Sequence, residues 1–226
     1  MLQAVLLDLG NTVLREHSYN LRTGFDSISQ YLNPSQSIDK LIDSINVTQI
    51  ETTEFSVLNW IKHNTRLSDN EVSTEFLEAC LWNHTVTLEP IEQVKESLEF
   101  LKGNGVRIAA LSNAIFSANC LRLELRKHNL DHYFEFVISS SDIGIRKPDI
   151  ALFELALERL NLSSSSVCYI GDNWNADVVA ADSANILPIH FSIDKAISDS
   201  KFSYYNFSHW RQFPDLWKNL SKLNQC

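Results

Sequence analysis

Residues 5–13 read VLLDLGNTV. A short apolar run, Ala4–Leu7, ends on an acid, Asp8, and Gly10 and Asn11 follow as turn formers. The run has no polar alternation, so it reads as a strand covered on both faces, as in a parallel sheet. Four more runs read the same way: Val106–Leu111, Phe136–Ile138, Val167–Ile170 and Leu187–Phe191. Amphipathic segments lie between most of them. Ile91, Val94, Leu98 and Leu101 keep helical spacing until Gly103 and Gly105 stop the helix, and Ile150, Phe153, Leu157 and Leu160 repeat the pattern. Strands alternating with helices predict an α/β fold with a doubly wound, Rossmann-like parallel sheet.

One interval breaks the alternation. From about Arg15 to Leu88 no good strand is expected. Helical patterns stand instead around Leu21–Leu32, Ile38–Ile45, Phe55–Ile61 and Val72–Trp82. Pro34 separates the first two, and Ser68 with Glu71 makes a capping-box pattern before the last. A crossover needs far fewer than ~70 residues. Residues 15–88 therefore read as an inserted α-helical cap, and residues 1–14 with 89–226 as the core. The tail from Lys201 to Cys226 is aromatic-rich and is expected to end in a helix carrying Leu216, Trp217, Leu220 and Leu223.

Composition narrows the function classes. The 226 residues amount to about one and a half domains at ~150 residues each. Lys+Arg total 19 against 28 Asp+Glu, a net charge of −9, which argues against non-specific nucleic-acid binding. Apolar residues at 44% exclude global disorder. No apolar run approaches the ~18–20 residues of a membrane span, and Met1–Leu14 lacks the basic start of a signal peptide. Cys80, Cys120, Cys168 and Cys226 form no C-x-x-C pair, which argues against a disulfide framework or zinc site. Triplets such as Asn46-Val47-Thr48 read as chance. The expectation is a soluble, cytoplasmic protein with free thiols, no nucleic-acid or membrane partner, and an undetermined choice between monomer and homodimer.

In open α/β sheets the ligand crevice lies beyond the C-terminal strand ends. Asp8 follows the first strand; a buried acid there needs a metal or lysine partner, or else it caps a turn. Ser112 and Asn113 follow the second, as anion donors, as a helix cap, or as both. After the third comes Gly144-Ile145-Arg146-Lys147-Pro148-Asp149, with Pro148 suited to the first turn of a helix and Lys147 just before it. Lys147 is either a counter-ion for an anionic ligand or a surface charge. Asp172 and Asp177 follow the fourth strand; they suit a hard cation such as Mg²⁺, or the start of a helix. Together these side chains are what aspartyl-phosphate chemistry needs: a carboxylate that attacks phosphorus, and a lysine, a metal and donors that neutralise and place the phosphoryl group.

The stretches VLLDLGNTV, ALSNA, GIRKPDIALFELAL and CYIGDNWNADVVAADSA resemble the four motifs of the haloacid dehalogenase (HAD) superfamily. The helical cap after the first motif resembles its C1-capped branch. The likeness covers about two-thirds of the chain, and the cap is matched only by position and helicity. It implies Asp8 as nucleophile, Ser112 as phosphate donor and Asn113 as a neighbouring site residue. It implies Lys147 as stabiliser of Asp8 and the phosphoryl group. It implies Mg²⁺ held by Asp8, Asp172 and the Gly10 backbone carbonyl, with Asp177 in support, through water or directly. The implied activity is a phosphohydrolase acting on a small phosphorylated metabolite, with a cap that closes over the crevice.

The match departs at Gly10, where family phosphatases usually carry a second Asp that protonates the leaving group and activates water. That help is worth typically ~10²–10⁴-fold. His17 and His84 are substitutes by sequence position alone. The D-L-G-N motif with S-N and G-x-R-K-P is similar to a sugar-phosphatase branch that also carries Gly there, so a sugar phosphate is one candidate substrate. A catalytically silent, phosphate-binding module is the alternative. A 2-haloacid dehalogenase is the third reading, but dehalogenases replace the acid at Asp172 with an uncharged residue. Phosphonate hydrolysis would want a cap lysine, and nothing sets Lys40 or Lys62 apart from solvated charges. Arg15, Arg22, Trp60, Arg66 and Trp82 are cap residues with no assigned direction, and packing is the expected role of both tryptophans. An acidic protein that binds phosphate must create its positive field locally. The reading therefore requires Lys147, a helix N-terminus and Mg²⁺, and predicts weak phosphate affinity without the metal.

Overall fold

A computed structural model describes residues 2–33, 37–50, 55–65, 72–193 and 205–223. Eight strands form among them: β1 (Ala4–Leu7), β2 (Leu14–Tyr19), β3 (Val86–Pro90), β4 (Arg107–Ser112), β5 (Val137–Ser139), β6 (Val167–Gly171), β7 (Leu187–Phe191) and β8 (Tyr205–Phe207). Six of them build one sheet in the order β5-β4-β1-β6-β7-β8, and each pairing in it is parallel. Every residue of β1 is buried, because both sheet faces are covered. Val5 and Leu7 point into one apolar cluster, and Ala4 and Leu6 into the other. The α/β doubly wound expectation is met.

The helices are α1 (Leu21–Ser27), α2 (Ile38–Ile50), α3 (Val57–Asn64), α4 (Thr74–Thr85), α5 (Val94–Gly103), α6 (Ala118–Lys127), α7 (Ser140–Ile143), α8 (Ile150–Leu160), α9 (Ala180–Ser183) and α10 (Phe213–Leu223). A π-helical turn, Trp174–Val179, leads into α9. Helices α1 to α4 fall on the four helical patterns of the inserted segment. Gly24 lets α1 and α4 touch: a Cβ there would stand 2.9 Å from the Leu81 carbonyl oxygen. The expected capping box at Ser68 and Glu71, Pro34, and the far tail with Cys226 lie outside the described residues.

Two expectations are corrected. The interval from Arg15 to Leu88 contains strands after all: β2 and β3 pair antiparallel into a ribbon. It escapes sequence reading because five of the six β2 residues, LREHSY, are exposed, so no apolar alternation marks it. The ribbon also straddles both expected boundaries of the inserted segment, at 14/15 and 88/89. Second, Pro148 is not in the first turn of α8. Asp149 is the cap, its side chain accepting from the Ala151 N–H at 3.0 Å, so the helix starts at Ile150.

Helix α4 is bonded to α6 along a buried seam. The Glu78 carboxylate accepts from the Ser117 N–H (2.8 Å) and hydroxyl (2.6 Å), and so holds the N-cap residue of α6. Trp82 Nε1 donates to Glu124 Oε2 at 2.8 Å. In the tail, Trp210 Nε1 donates to the Thr12 carbonyl at 2.8 Å, which ties the aromatic cluster to the loop after β1. No helix among the described residues is long and apolar enough to cross a membrane. Cys80, Cys120 and Cys168 are free thiols.

Candidate active site

Strand order sets the place. From β1 the chain builds to one side through β4 and β5, then returns to build the other side from β6 to β8. The ends of β1 and β6 therefore flank the point of reversal, where crevices form in such sheets. Asp8 stands at the end of β1, its N–H extending the ladder to the Ile170 carbonyl at 2.9 Å. Asp172 directly follows β6.

Lys147 reaches this point from the loop between α7 and α8. It is only 3% exposed. Its backbone is clamped by Asn113, whose Oδ1 accepts from the Lys147 N–H (2.8 Å) and whose Nδ2 donates to the Lys147 carbonyl (2.9 Å). An ammonium has three N–H bonds to give. Here they go to Asp8 Oδ1 (2.8 Å), Asp177 Oδ1 (2.7 Å) and the Tyr169 hydroxyl (2.7 Å). Tyr169 in turn donates to Asp177 Oδ1 at 3.0 Å. Asp177 Oδ2 accepts from the Asn173 N–H at 2.9 Å. This close fit needs Gly171: a Cβ there would lie 2.3 Å from Asp177 Cγ.

Asp8, Asp172 and Asp177 bring carboxylate oxygens within 4.8 Å of one another. Three acids thus face one ammonium. Burial first, and then the Asp177 charge working against Lys147, push the Asp8 carboxyl up to about 7. Burial and Asp177 push Asp172 up to about 6. Burial opposes the Lys147 charge, but Asp177 and Asp8 outweigh it and raise that group to about 12. Burial, with Asp177 and Asp8 beside it, holds the Tyr169 hydroxyl well above its ordinary value, so it is a donor and not a base. The acids carry more negative charge than one lysine neutralises, and all their donors are hard oxygens. That donor set fits Mg²⁺ or a similar hard cation. Asp177 already has both oxygens bonded to protein, so Asp8 and Asp172 are the pair best placed to ligate directly.

A cavity of about 450 Å³ opens beside the cluster. Gly10, Ser112, Asn113 and Arg146 line it from the strand-end loops. The ribbon, Trp82 of α4 and Leu121 and Glu124 of α6 complete its wall. Ser112, at the end of β4, is buried and lines this space. It is not a helix cap, since Ser117 caps α6. A Cβ on Gly10 would meet nothing within 4 Å.

The structure thus brings Asp8, Ser112, Asn113, Lys147, Asp172 and Asp177 to one place. It does not bring the two histidines there. His17 pairs with Glu89 across the ribbon at 3.1 Å, and His84 Nδ1 bonds the Cys80 carbonyl at 2.8 Å. Of the cap residues, Arg22 pairs with Asp39, Trp60 packs edge-on to Phe25, and Trp82 lines the cavity. Arg66 lies outside the described residues. Sequence reading missed Tyr169 and the clamp role of Asn113. The Tyr169 signal was available: a tyrosine inside a wholly buried strand must find a partner for its hydroxyl.

Known proteins resemble this chain in both directions the site suggests. A family model described as haloacid dehalogenase-like hydrolase matches residues 5–190. The chain is similar to (S)-2-haloacid dehalogenase 2 of a Pseudomonas species, 31% identical over 97 residues, 42% of each chain. It is also similar to glyceraldehyde 3-phosphate phosphatase of Methanothermobacter thermautotrophicus, 29% identical over 102 residues, 45% of this chain and 44% of that one. Each match spans less than half the length of the relative. Among solved structures, a 2-haloacid dehalogenase from Pseudomonas syringae pv. Tomato matches with a TM-score of 0.69 at 20% identity, over 97% of this chain and 100% of that one, which is a likeness of fold.

Proposed function

This chain belongs to the haloacid dehalogenase-like hydrolase family, and on that premise we propose that it is an Mg²⁺-dependent phosphohydrolase of small phosphorylated metabolites. The observation that carries this reading is the three-acid cluster around Lys147, with Asp172 kept as an acid beside Asp8. A metal-free dehalogenase has no use for a third uncompensated carboxylate.

In the proposed reaction Asp8 attacks phosphorus in line through a carboxylate oxygen, and the ester oxygen leaves with its electron pair. Water then attacks the phosphorus of the aspartyl phosphate, and Asp8 departs as a carboxylate. Lys147 holds Asp8 in position and offsets charge on the phosphoryl oxygens. Ser112 donates to one of those oxygens. Asn113 keeps Lys147 in register, and Asp177 with Tyr169 holds its ammonium from behind. Asp8, Asp172 and the Gly10 carbonyl would hold the Mg²⁺, with Asp177 supporting. When bound, the metal supplies positive charge to the phosphoryl group.

The direct test is phosphate release from an aryl phosphate with and without Mg²⁺. Release that needs both Mg²⁺ and Asp8 is expected, and equal rates for wild type and Asp8→Asn would sink the reading. The dehalogenase relatives favour a second reading, which predicts halide release from a 2-haloacid without metal. Gly10 favours a silent phosphate-binding module. On that reading the wild type turns over no metabolite, and Gly10→Asp creates activity on poor leaving groups.

A further inference from the structure

We propose that the substrate is an aryl phosphate monoester, a phosphate on a phenolic oxygen, with its aromatic body seated in the cavity beside Asp8. The inference rests on the phosphohydrolase reading above and adds the class of leaving group. Two independent observations carry it.

The first is the wall. Leu14, Val86, Leu88, Phe116, Leu121 and Trp82 make its apolar lining, and all but Leu88 are buried. Glu16 and Tyr19, both exposed, and Arg146 also line the cavity, and two further polar groups that reach it are committed to protein. Both ends of the Asn113 amide clamp Lys147. Glu124 accepts from Trp82 and Lys127 on one oxygen and meets His128 on the other. Against Leu14, Val86, Leu88, Phe116 and Leu121 a sugar hydroxyl would trade water for an apolar contact, and each unmatched hydroxyl weakens binding. An aromatic ring packs on those side chains and asks for no hydrogen bond from them. At about 450 Å³ the cavity is within the ~300–1,000 Å³ range of small-molecule pockets.

The second is position 10. With no side chain there, and open space where one would stand, no carboxyl group reaches the leaving oxygen from that loop. Lys147 has its three N–H bonds committed. Neither position 10 nor Lys147 therefore supplies a proton to the leaving oxygen. A phenol ionises near ~10, as a tyrosine does. An alcohol stays protonated to near the ~15.7 of water. A phenolate is thus the far better leaving group without an acid. As the Asp8 oxygen bonds to phosphorus, the phosphorus–aryl oxygen bond breaks, the phenolate keeps the electron pair, and solvent protonates it afterwards. Water then cleaves the aspartyl phosphate, its protons passing to phosphate and solvent. The same position and the same wall choose one class.

The test is a leaving-group series, with phosphate release measured at saturating Mg²⁺ on substituted phenyl phosphates, naphthyl phosphate, glycerol phosphate and glucose-1-phosphate. Expected are a kcat/KM about 100-fold or more higher for naphthyl than for either alkyl ester, and rates that fall steeply as the leaving phenol becomes less acidic. Gly10→Asp should flatten that slope, raising glycerol phosphate about 10-fold or more and naphthyl phosphate little. Leu88→Gln, at a half-exposed wall position, should raise KM for naphthyl phosphate about 10-fold and leave kcat near wild type. A kcat/KM for glucose-1-phosphate equal to that for naphthyl phosphate, or a flat series, overturns the proposal. Inactivity on every phosphate would overturn the hydrolase reading instead. Calorimetry with non-hydrolysable phosphonates then judges the cavity alone: tighter binding of naphthyl phosphonate than of hydroxypropyl phosphonate supports the inference, and equal binding overturns it.

Discussion

Two groups of acids sit close together in this molecule and are balanced by different partners. At the strand ends, Asp8, Asp177 and the half-buried Asp172 crowd around one ammonium. Along the seam between α4 and α6, Glu78 and Glu124 are buried, at 1% and 3% exposure. The seam is self-sufficient. Glu78 is met by the N–H and hydroxyl of Ser117, and Glu124 by Trp82, Lys127 and His128. A buried carboxylate is tolerable when donors match it. Burial raises the Glu78 carboxyl as well, against the bonds from Ser117 that lower it. What sets the strand-end cluster apart is three acids for one cation, with Asp8 and Asp172 pushed up to about 7 and about 6 partly by their acidic neighbour Asp177. The seam is complete without a ligand and joins two helices. The cluster is complete only with a further positive charge, and that is what makes it a site.

Removing the single cation breaks this contrast most severely. Lys147→Met should abolish activity and cost ~3–5 kcal/mol of stability at pH 7.5, as uncompensated buried charges do. Urea unfolding at pH 5, where the acids take up protons, should recover part of that loss. Supplying the missing charge is the next largest effect. Mg²⁺ at ~100 times its dissociation constant should stabilise the wild type by ~2.7 kcal/mol. Thermal unfolding would show this as a rise of ~5–10 °C. Asp172→Asn should lose that rise, whereas Glu78→Gln should keep it.

On the seam, Glu78→Ala should cost ~1–3 kcal/mol in urea unfolding, by leaving the Ser117 donors unmatched. Its Mg²⁺ response should be that of the wild type. The smallest expected effect is in pH. Unfolded aspartate titrates near ~3.9, whereas Asp172 and Asp8 are pushed up to about 6 and about 7. Between those limits the folded state holds more protons than the unfolded state, so stability falls as pH rises through that window. In EDTA, Asp172→Asn should therefore gain in Tm relative to wild type between pH 5 and pH 7.5, and saturating Mg²⁺ should remove the trend.

The parts legible in sequence share a physical cause. The central strands are buried because both sheet faces are covered, so β1 and β6 stand in the sequence as short runs without charged residues. Asp8 and Asp172 are conspicuous because they stand directly beyond such runs, whereas Lys147 lies past α7 and is drawn in only by the other charged groups. The ribbon was illegible because β2 is solvent-facing and polar. Strand β8 was illegible because it is three residues at a sheet edge with one buried side chain, Phe207. The tyrosine in CYIG looked like core. Only its neighbours in space, Lys147 and Asp177, show that its hydroxyl holds the ammonium.

The sequence by itself determined the layered α/β architecture, the place of the inserted helices and the identities of the charged groups, because periodicity and charge are local properties of a chain. The tertiary structure alone decided how those charges balance. Lys147 meets Asp8 across 139 positions and Asp177 across 30. Whether a lysine so placed neutralises one acid or is shared by several depends on distance in space, which no local pattern encodes. The same holds for the wall of the cavity. The ribbon, Trp82 and α6 are brought together only by packing, which gathers apolar side chains beside an open position 10.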